Sequence, residues 1–368
     1  MFKLALLWLY ISAPAPPGVV IDHELAETGR YIGSPAIAIL PNGDYVASHD
    51  FFGPKSGQSV SATTRIFKST DRGNTWRQSA EMKDQFWSNL FVHRGQAYLM
   101  GTTYEYGRIV IRRSADGEKW SEPGYLTSET GYHTAPVPVV EKGGRLWRAM
   151  EYHPPGPWGS FQAFLMSAKS GSNLLDAASW SMTERLAYPS NSTEGKTWLE
   201  GNAVVGPKGG ILDILRVDNI EKAAIVSRQG NRLRFQKLVA FPGGAKKFAI
   251  RHDRKSRAYW TLSNPALPEY PLSARNPASV RNTLVLMKSN DLEHWTTVRT
   301  ILSHPDPEKH AFQYVDWQFD GEDIVAVSRT AFDDEGGGVG RAHDANFLTF
   351  HRVRQFRSAG IAQESGKP

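Results

Sequence analysis

An eight-residue motif at residues 69–76 constrains the fold of this chain more than any other feature. It reads S-x-D-x-G-x-T-W, a spacing that suits a tight turn between two antiparallel strands. Asp71 can accept hydrogen bonds from N–H groups of the turn, Gly73 can adopt a positive φ, and Trp76 can pack beside the next repeat. Weaker copies, each ending in tryptophan, occupy residues 114–120, 174–180 and 289–295. The recurrence predicts a repeat protein with one such hairpin in most units.

Short strand patterns separated by turns fill the chain between these motifs and predict an all-β protein. The 368 residues include 33 Gly and 22 Pro, as expected of a large, turn-rich domain, and closed β folds often exceed the usual domain length. Six groups of strands can be counted, which predicts a single β-propeller of four-stranded antiparallel blades over residues 18–357. The short apolar run at residues 19–22 predicts an N-terminal strand that pairs with the last blade and closes the ring.

The two ends of the chain lie outside the predicted propeller. An apolar run at residues 4–11, followed by Ala-Pro-Ala at residues 13–15, resembles a short secretory signal and predicts a secreted or periplasmic protein. Residues 358–368 are predicted to be a disordered tail. No later segment is long and apolar enough to span a bilayer.

Composition and charge exclude several kinds of site and partner. The chain has no cysteine, which excludes disulfides and thiolate metal sites. Its net charge is +6, but the basic residues are scattered among acidic ones and form no stripe, so no nucleic-acid partner is predicted. The spacing of His310, His343 and His351 fits no transition-metal site, and no cofactor is predicted to be required. A structural Ca²⁺ held by carboxylates and carbonyls stays open, and the sequence does not indicate an oligomeric state.

The motif at residues 69–76 is the Asp-box of sialidase-like propellers, and the chain resembles the sialidases in fold and boxes. In that family the clamp for the substrate carboxylate begins with an arginine in an Arg-Ile-Pro motif on the first strand. The matching stretch here, residues 31–37, has Gly33 or Ser34 at that position. Losing a bidentate guanidinium partner weakens carboxylate binding. The sequence therefore argues against sialidase activity.

A closer resemblance is to sialidase-like bacterial and fungal propellers that cleave rhamnose from glucuronate, a group related to the propeller ulvan lyases. It rests on residues 32–35, 45–50, 132–136, 145–149, 200–202, 242–244, 281–284, 312–317 and 343–352. The resemblance implies seven blades rather than the six that can be counted. It also implies a uronate-containing glycan as partner, with β-elimination at an L-rhamnose-α-1,4-D-glucuronate linkage of the kind that caps arabinogalactan.

The resemblance to the lyases also implies a set of site residues. His133 and His153, expected on neighbouring inner strands, would supply the acid and base, and Arg216 would neutralise the uronate carboxylate. The catalytic tyrosine that ulvan lyases place shortly before this arginine is missing, so either a histidine is the base or Tyr152 or Tyr314 replaces it. The residues predicted to bind substrate are Arg281, Asn202, Lys247 and Tyr314.

Two other functions stay open. His49 lies in a Ser-His-Asp stretch that matches members of the group described as α-L-rhamnosidases, which implies hydrolysis through that histidine. A lone histidine is an unusual apparatus for a reaction that normally needs two carboxylates. The missing tyrosine also leaves room for a non-catalytic propeller that only binds glycans.

Overall fold

The structure, a computed structural model, describes residues 15–270 and 276–358. Within these ranges the chain is all-β, and six antiparallel sheets form the blades of a propeller. This confirms the predicted fold and the count of six blades. The seventh blade implied by the resemblance is not present in the described residues, because irregular stretches such as residues 188–197 are loops and not strands.

The strands follow one another blade by blade. In chain order they are β1 (Val19–His23), β2 (Tyr31–Ile32), β3 (Ala36–Ile39), β4 (Tyr45–Phe52), β5 (Thr63–Ser69), β6 (Arg77–Lys83), β7 (Phe86–His93), β8 (Gln96–Thr102), β9 (Ile109–Ser114), β10 (Gly124–Tyr125), β11 (Tyr132–His133), β12 (Val140–Lys142), β13 (Arg145–Tyr152), β14 (Gln162–Lys169), β15 (Trp180–Met182), β16 (Leu186–Ala187), β17 (Trp198–Val205), β18 (Ile211–Val217), β19 (Lys222–Gln229), β20 (Arg232–Ala240), β21 (Ala249–Asp253), β22 (Ala258–Ser263), β23 (Thr283–Ser289), β24 (Thr296–Ser303), β25 (Ala311–Asp320), β26 (Asp323–Ala331) and β27 (Phe347–Val353). Short 3₁₀ helices occupy Ala26–Thr28, Ala177–Ser179, Pro277–Ser279 and Phe356–Ser358.

Each blade runs from an inner strand at the channel to an outer strand at the rim. Blade I contains β2 to β6, blade II β7 to β10, blade III β11 to β16, blade IV β17 to β20, blade V β21 to β24, and blade VI β25 to β27 with β1. In blades I and III the inner position is shared by two short strands, since β2 and β3 both pair with β4, and β11 and β12 both pair with β13.

The N-terminal strand closes the ring, as predicted. β1 is the outermost strand of blade VI and pairs antiparallel with β27, with Val19 opposite Phe350 and His23 opposite Phe347. Asp22 on this strand contacts blade I, because its carboxylate lies 2.8 Å from Nε2 of His49 and 3.0 Å from Nη1 of Arg65. The first and last blades are therefore joined by hydrogen bonds and by charge.

The box turns have the geometry that their sequence predicts, with one correction. In the turn between β5 and β6, Asp71 accepts hydrogen bonds from the Thr75 N–H at 2.9 Å and from the Thr75 hydroxyl at 2.6 Å. Gly73 has φ 92°. Trp76 packs on Phe350, with ring centroids 5.5 Å apart. Phe350 belongs to the preceding blade, so the expectation that the tryptophan faces the next blade was wrong.

The core of the described residues consists of seven clusters of buried side chains, six of them between neighbouring blades and one within blade VI. One example joins blades III and IV through Trp147, Trp198 and Leu215. Except for Ala15, the predicted signal segment lies outside the described residues. The predicted tail also lies outside them except for Ser358, which ends a 3₁₀ helix.

Candidate active site

One cavity, of about 320 Å³, opens where the ends of the inner strands meet, and residues from all six blades line it. Its polar side chains include Asp50, Glu200, Arg216, Arg281, Tyr314 and Arg329. In a propeller this mouth of the channel is the place where loops and strand ends from different blades converge, so polar groups far apart in sequence can meet there.

Three inner strands carry a β-bulge at the same position, and each bulge supplies a side chain to this cavity. In β7, β17 and β25 the register shifts by one residue relative to the second strand of the blade. The bulged residues are Trp87, Glu200 and Tyr314, with φ of 47°, 55° and 54°. A positive φ in a bulky residue costs about 1–3 kcal/mol and persists only where the surroundings enforce it. All three strained positions line this cavity, which makes it the candidate functional site.

Glu200, Arg216 and Tyr314 form a connected group at the centre of the cavity. Nη1 of Arg216 lies 2.8 Å from Oε2 of Glu200, and Nη2 lies 2.9 Å from Asp218. Burial alone would raise the pKa of Glu200, but the charge of Arg216 and its hydrogen bond hold that pKa below its usual value, and Tyr314 adds to this effect. Glu200 is therefore an anion, and Tyr314 lines the same cavity.

Two further guanidinium groups flank the ring of Tyr314. The Cζ atoms of Arg281 and Arg329 lie 5.3 and 4.9 Å from the ring centroid. Arg281 donates to the Ala278 carbonyl at 2.8 Å and to Gln313 at 2.6 Å, which fixes its orientation. Burial lowers the pKa of both groups, that of Arg329 to about 10. Both remain charged near neutral pH.

Neither Arg281 nor Arg329 has a carboxylate within ion-pair distance among the described residues. Arg329 donates to the His343 carbonyl, and its Nε is buried without a partner in that part of the chain. A buried cation left uncompensated is costly. An anionic group bound in the cavity would compensate these two charges.

Asp50 also lines the cavity and lies near the end of the second strand of blade I. Its two carboxyl oxygens accept hydrogen bonds from the backbone N–H groups of Ser34, at 2.7 Å, and Trp87, at 2.5 Å. Burial nevertheless raises the pKa of Asp50 to about 6. Gly33 is required beside it, because a Cβ there would lie 1.7 Å from Oδ1 of Asp50.

Of the residues predicted to be catalytic, the structure brings His133 and Arg216 into this cavity. Nδ1 of His133 lies 2.9 Å from Glu151, which leaves the other ring nitrogen available. His153 stacks on Tyr106 at 4.7 Å, behind the lining. Because His133 lies on β11 and His153 directly follows β13, the two histidines lie on adjacent strands of one blade rather than on neighbouring inner strands.

The residues predicted to bind substrate divide into two groups. Arg281 and Tyr314 line the cavity. Asn202 is fully buried and ties blade IV to blade V through the Ile250 N–H, 2.9 Å away, and the Phe248 carbonyl. Nζ of Lys247 donates to the Val315 carbonyl at 2.8 Å, so it supports the bulge that carries Tyr314.

His49, the residue of the predicted hydrolase alternative, is fully buried and does not line the cavity. Nδ1 lies 2.9 Å from the Asp50 carbonyl oxygen and Nε2 lies 2.8 Å from Asp22. Both ring nitrogens therefore have protein partners, and the residue joins the blades on either side of the ring closure.

Sequence reasoning did not single out Asp50, Glu200 and Arg329 as active-site residues. Asp50 and Glu200 both belong to stretches that carry the family resemblance, residues 45–50 and 200–202, but neither is predicted to have a role in the site. A signal for Arg329 exists in the repeat itself. Arg216 pairs with Leu199 just before the bulge of blade IV, and Arg329 pairs with Gln313 just before the bulge of blade VI. Superposing the blades would have matched the two arginines.

Neither a candidate metal centre nor a membrane-spanning helix is present in the described residues. No group of three or more His, Asp or Glu side chains there is arranged to hold a metal ion. The helices there are three-residue 3₁₀ turns, none long and apolar enough to cross a membrane.

No protein-family model matches the chain, and no curated protein sequence matches it. Solved structures do match its fold. A Trypanosoma rangeli sialidase bound to the inhibitor DANA superposes with a TM-score of 0.60 at 14% identity, covering 88% of this chain and 55% of that one. This chain thus spans about half of that sialidase.

Two other solved structures are similar over nearly their whole length. A Penicillium chrysogenum α-L-arabinanase complexed with arabinobiose has a TM-score of 0.57 at 14% identity, covering 92% and 98% of the two chains. A Dyadobacter fermentans protein of unknown function has a TM-score of 0.59 at 13% identity, covering 92% and 100%. Similarity at identities this low establishes the fold alone, a β-propeller, and nothing about activity.

Proposed function

We propose that the protein is a retaining glycoside hydrolase that acts on a terminal sugar bearing a carboxylate, with Tyr314 as nucleophile. The observation that carries this proposal is the pair of buried guanidinium groups, Arg281 and Arg329, beside a tyrosine that shares the cavity with an ionised glutamate. The cations would hold the substrate carboxylate, and planar guanidinium groups suit it because they donate two parallel hydrogen bonds.

A tyrosine nucleophile suits such a substrate. Most retaining glycosidases use a carboxylate, and the use of tyrosine is a known exception in sialidases. If the reacting carbon carries a carboxylate, an anionic nucleophile would be repelled during attack, whereas a neutral phenol would not. The substrate class that fits best is therefore a 2-keto sugar acid of the sialic-acid type. Arg329, from blade VI, would supply the guanidinium missing at Ser34.

The proposed reaction has two steps. In the first, Glu200 accepts the Tyr314 proton as the phenolic oxygen bonds to the anomeric carbon, while Asp50 protonates the leaving oxygen and the glycosidic bond breaks. In the second, ionised Asp50 takes a proton from a water that attacks the anomeric carbon. The bond to Tyr314 then breaks, and the phenolic oxygen recovers its proton from Glu200. Two displacements retain the anomeric configuration.

The neighbouring structures support a carbohydrate substrate, since two of them are a sialidase and an arabinanase. A fluorogenic panel would test the proposal: methylumbelliferyl glycosides of sialic acid, glucuronic acid, rhamnose and arabinose. We expect turnover of an acidic glycoside, sialic acid first, and none of the neutral ones. Turnover of a neutral glycoside alone, or of none of the four, would sink the proposal.

β-Elimination at a rhamnose–glucuronate linkage is the second candidate, and one observation favours it. His133 shares the cavity with Arg216 and Tyr314, and Glu151 fixes its orientation, so a base, an acid and a carboxylate clamp are all present. Incubation with a rhamnose-capped glucuronate oligosaccharide separates the candidates. Elimination creates an unsaturated uronate and raises ultraviolet absorbance, whereas hydrolysis releases sugar without it.

A further inference from the structure

A second cavity, of about 750 Å³, lies at the other end of the channel and plays no part in the proposed reaction. It is lined by the far ends of the inner strands and by turns of blades III to VI, including Val205, Gln318 and the box residue Asn290. Glu200 and Val205 are five residues apart on β17, which places the two cavities about 16 Å apart along that strand. The far cavity is therefore a separate site.

Cationic side chains surround this cavity. Lys142, Arg254 and Arg257 line it, and within residues 15–270 and 276–358 none of the three has a side-chain hydrogen bond or an ion pair. The acidic side chain that lines it, Glu141, already accepts a hydrogen bond from Ser170 at 2.5 Å. The lining thus has an excess of positive charge that the described part of the protein does not neutralise.

Arg251 provides a second, independent observation. Its Nη2 lies 3.0 Å from Asp316, yet its Nε is buried without a partner in the described part of the chain. A buried donor without an acceptor is unfavourable unless a water or ligand completes it. The floor also offers apolar surface from Pro138, Pro207 and Phe319. Apolar walls with a few convergent polar groups are typical of small-ligand sites.

We propose that this far cavity binds an acidic oligosaccharide through carboxylate or sulfate groups. Sugar rings have apolar faces that suit the apolar part of the lining, and their acidic groups can reach the four cations that line the cavity, Lys142, Arg251, Arg254 and Arg257. A nucleic-acid surface would need cations in a stripe along the outside of the fold, whereas these converge on one concave cavity. The proposal does not depend on the chemistry at the catalytic mouth.

Calorimetric titration with two acidic probes, tetragalacturonate and a heparin-derived tetrasaccharide, tests this proposal, with cellotetraose as the neutral probe. The variant is Arg254→Ala with Arg257→Asn, because Arg257 has φ 53° and asparagine tolerates that backbone conformation. The matched control is Arg113→Ala with Arg234→Ala, which removes two exposed arginines from other blades. Thermal unfolding verifies that both variants are folded.

We expect at least one acidic probe to bind the wild type, more weakly as salt rises, and cellotetraose not to bind. Loss of two charge-assisted contacts should weaken binding by about tenfold or more in the far-cavity variant and leave the control variant unchanged. Equal affinity in the wild type and the far-cavity variant would place the probe elsewhere and overturn the proposal. So would absence of binding, or tighter binding of a 12-base-pair DNA duplex that the same variant abolishes.

Discussion

At the scale of single residues, the proposed reaction depends on four groups with distinct tasks. In the proposal, Tyr314 attacks the anomeric carbon, Glu200 accepts its proton, Asp50 protonates the leaving oxygen, and buried arginines hold the substrate. The two carboxyl groups have different pKa values because their surroundings differ. Glu200 touches a guanidinium and stays ionised, whereas Asp50 is buried away from a direct ion pair and has a pKa of about 6.

Removing one oxygen from Tyr314 tests the nucleophile. Tyr314→Phe should lower kcat on an acidic aryl glycoside by about 10³-fold or more, because the attacking atom is gone. Tyr106→Phe is the matched control, since Tyr106 lines the same cavity with a similarly strained φ of 59°. Steady-state kinetics of both variants test this prediction. A similar loss of kcat in both variants would contradict the assignment of Tyr314 as nucleophile.

The pH dependence follows from the two carboxyl groups. The acid form of Asp50 is required, so kcat/KM on a glycoside with an unactivated leaving group should fall as pH rises through about 6. Glu200 must be ionised, and because its pKa is lowered, activity should persist until pH falls below the usual glutamate range. Asp50→Asn should remove the alkaline limb and lower kcat by about 10²–10⁴-fold. An unchanged pH profile in that variant would contradict the role.

At the scale of elements, the box turns stabilise the scaffold and the bulges position the chemistry. The sequence predicts the turns well, since Asp71, Gly73 and Thr75 act through local hydrogen bonds. It does not predict the bulges, because a bulge depends on pairing with a strand more than ten residues away. Glu200 and Tyr314 point into the cavity only because of that pairing. This is why the lining of the cavity was predicted in part, through His133, Arg216, Arg281 and Tyr314, and otherwise missed.

Two glycines test the packing of the box turn. Gly73 and Gly43 have nearly the same φ, 92° and 89°, but a Cβ at Gly73 would lie 2.3 Å from the Phe350 ring, whereas Gly43 has nothing within 4 Å. Gly43→Ala should lower the free energy of unfolding by about 1 kcal/mol from backbone strain alone. Gly73→Ala should lower the free energy of unfolding by about 1–3 kcal/mol more than Gly43→Ala, because the added methyl group overpacks the contact with Phe350. Urea unfolding measures both, and equal losses would show that the contact with blade VI is unimportant.

At the scale of the whole molecule, stability depends on closing the ring. The sequence predicted the closing strand from a short apolar run, but the contacts that fasten it were not predictable, since Asp22 reaches His49 and Arg65 only once the ring has formed. The same contacts give His49 a structural role that requires no part in catalysis. Burial would raise the pKa of Asp22, but hydrogen bonds and charge from His49 and Arg65 lower it overall.

Asp22→Ala should therefore lower the free energy of unfolding by about 1–3 kcal/mol, because it leaves a buried histidine nitrogen without a partner. Asp22→Asn, which keeps an acceptor, should lose less. Since the folded pKa of Asp22 is depressed, its stabilising effect is present at neutral pH and is lost as pH falls through that pKa. Unfolding by guanidinium chloride, measured across pH, checks this prediction. An unchanged free energy of unfolding in Asp22→Ala would mean that the contacts of Asp22 with His49 and Arg65 contribute little to stability.

The central claim is that Tyr314 forms a covalent bond to the substrate, and mass spectrometry after trapping tests it most directly. The protein is incubated with the 2,3-difluoro derivative of sialic acid, or with the fluorinated analogue of whichever sugar acid is turned over fastest, and then digested. The account predicts one glycosyl adduct on the peptide that contains Tyr314, absent from Tyr314→Phe. An adduct on another residue, or turnover of the glycoside with no adduct, would contradict it.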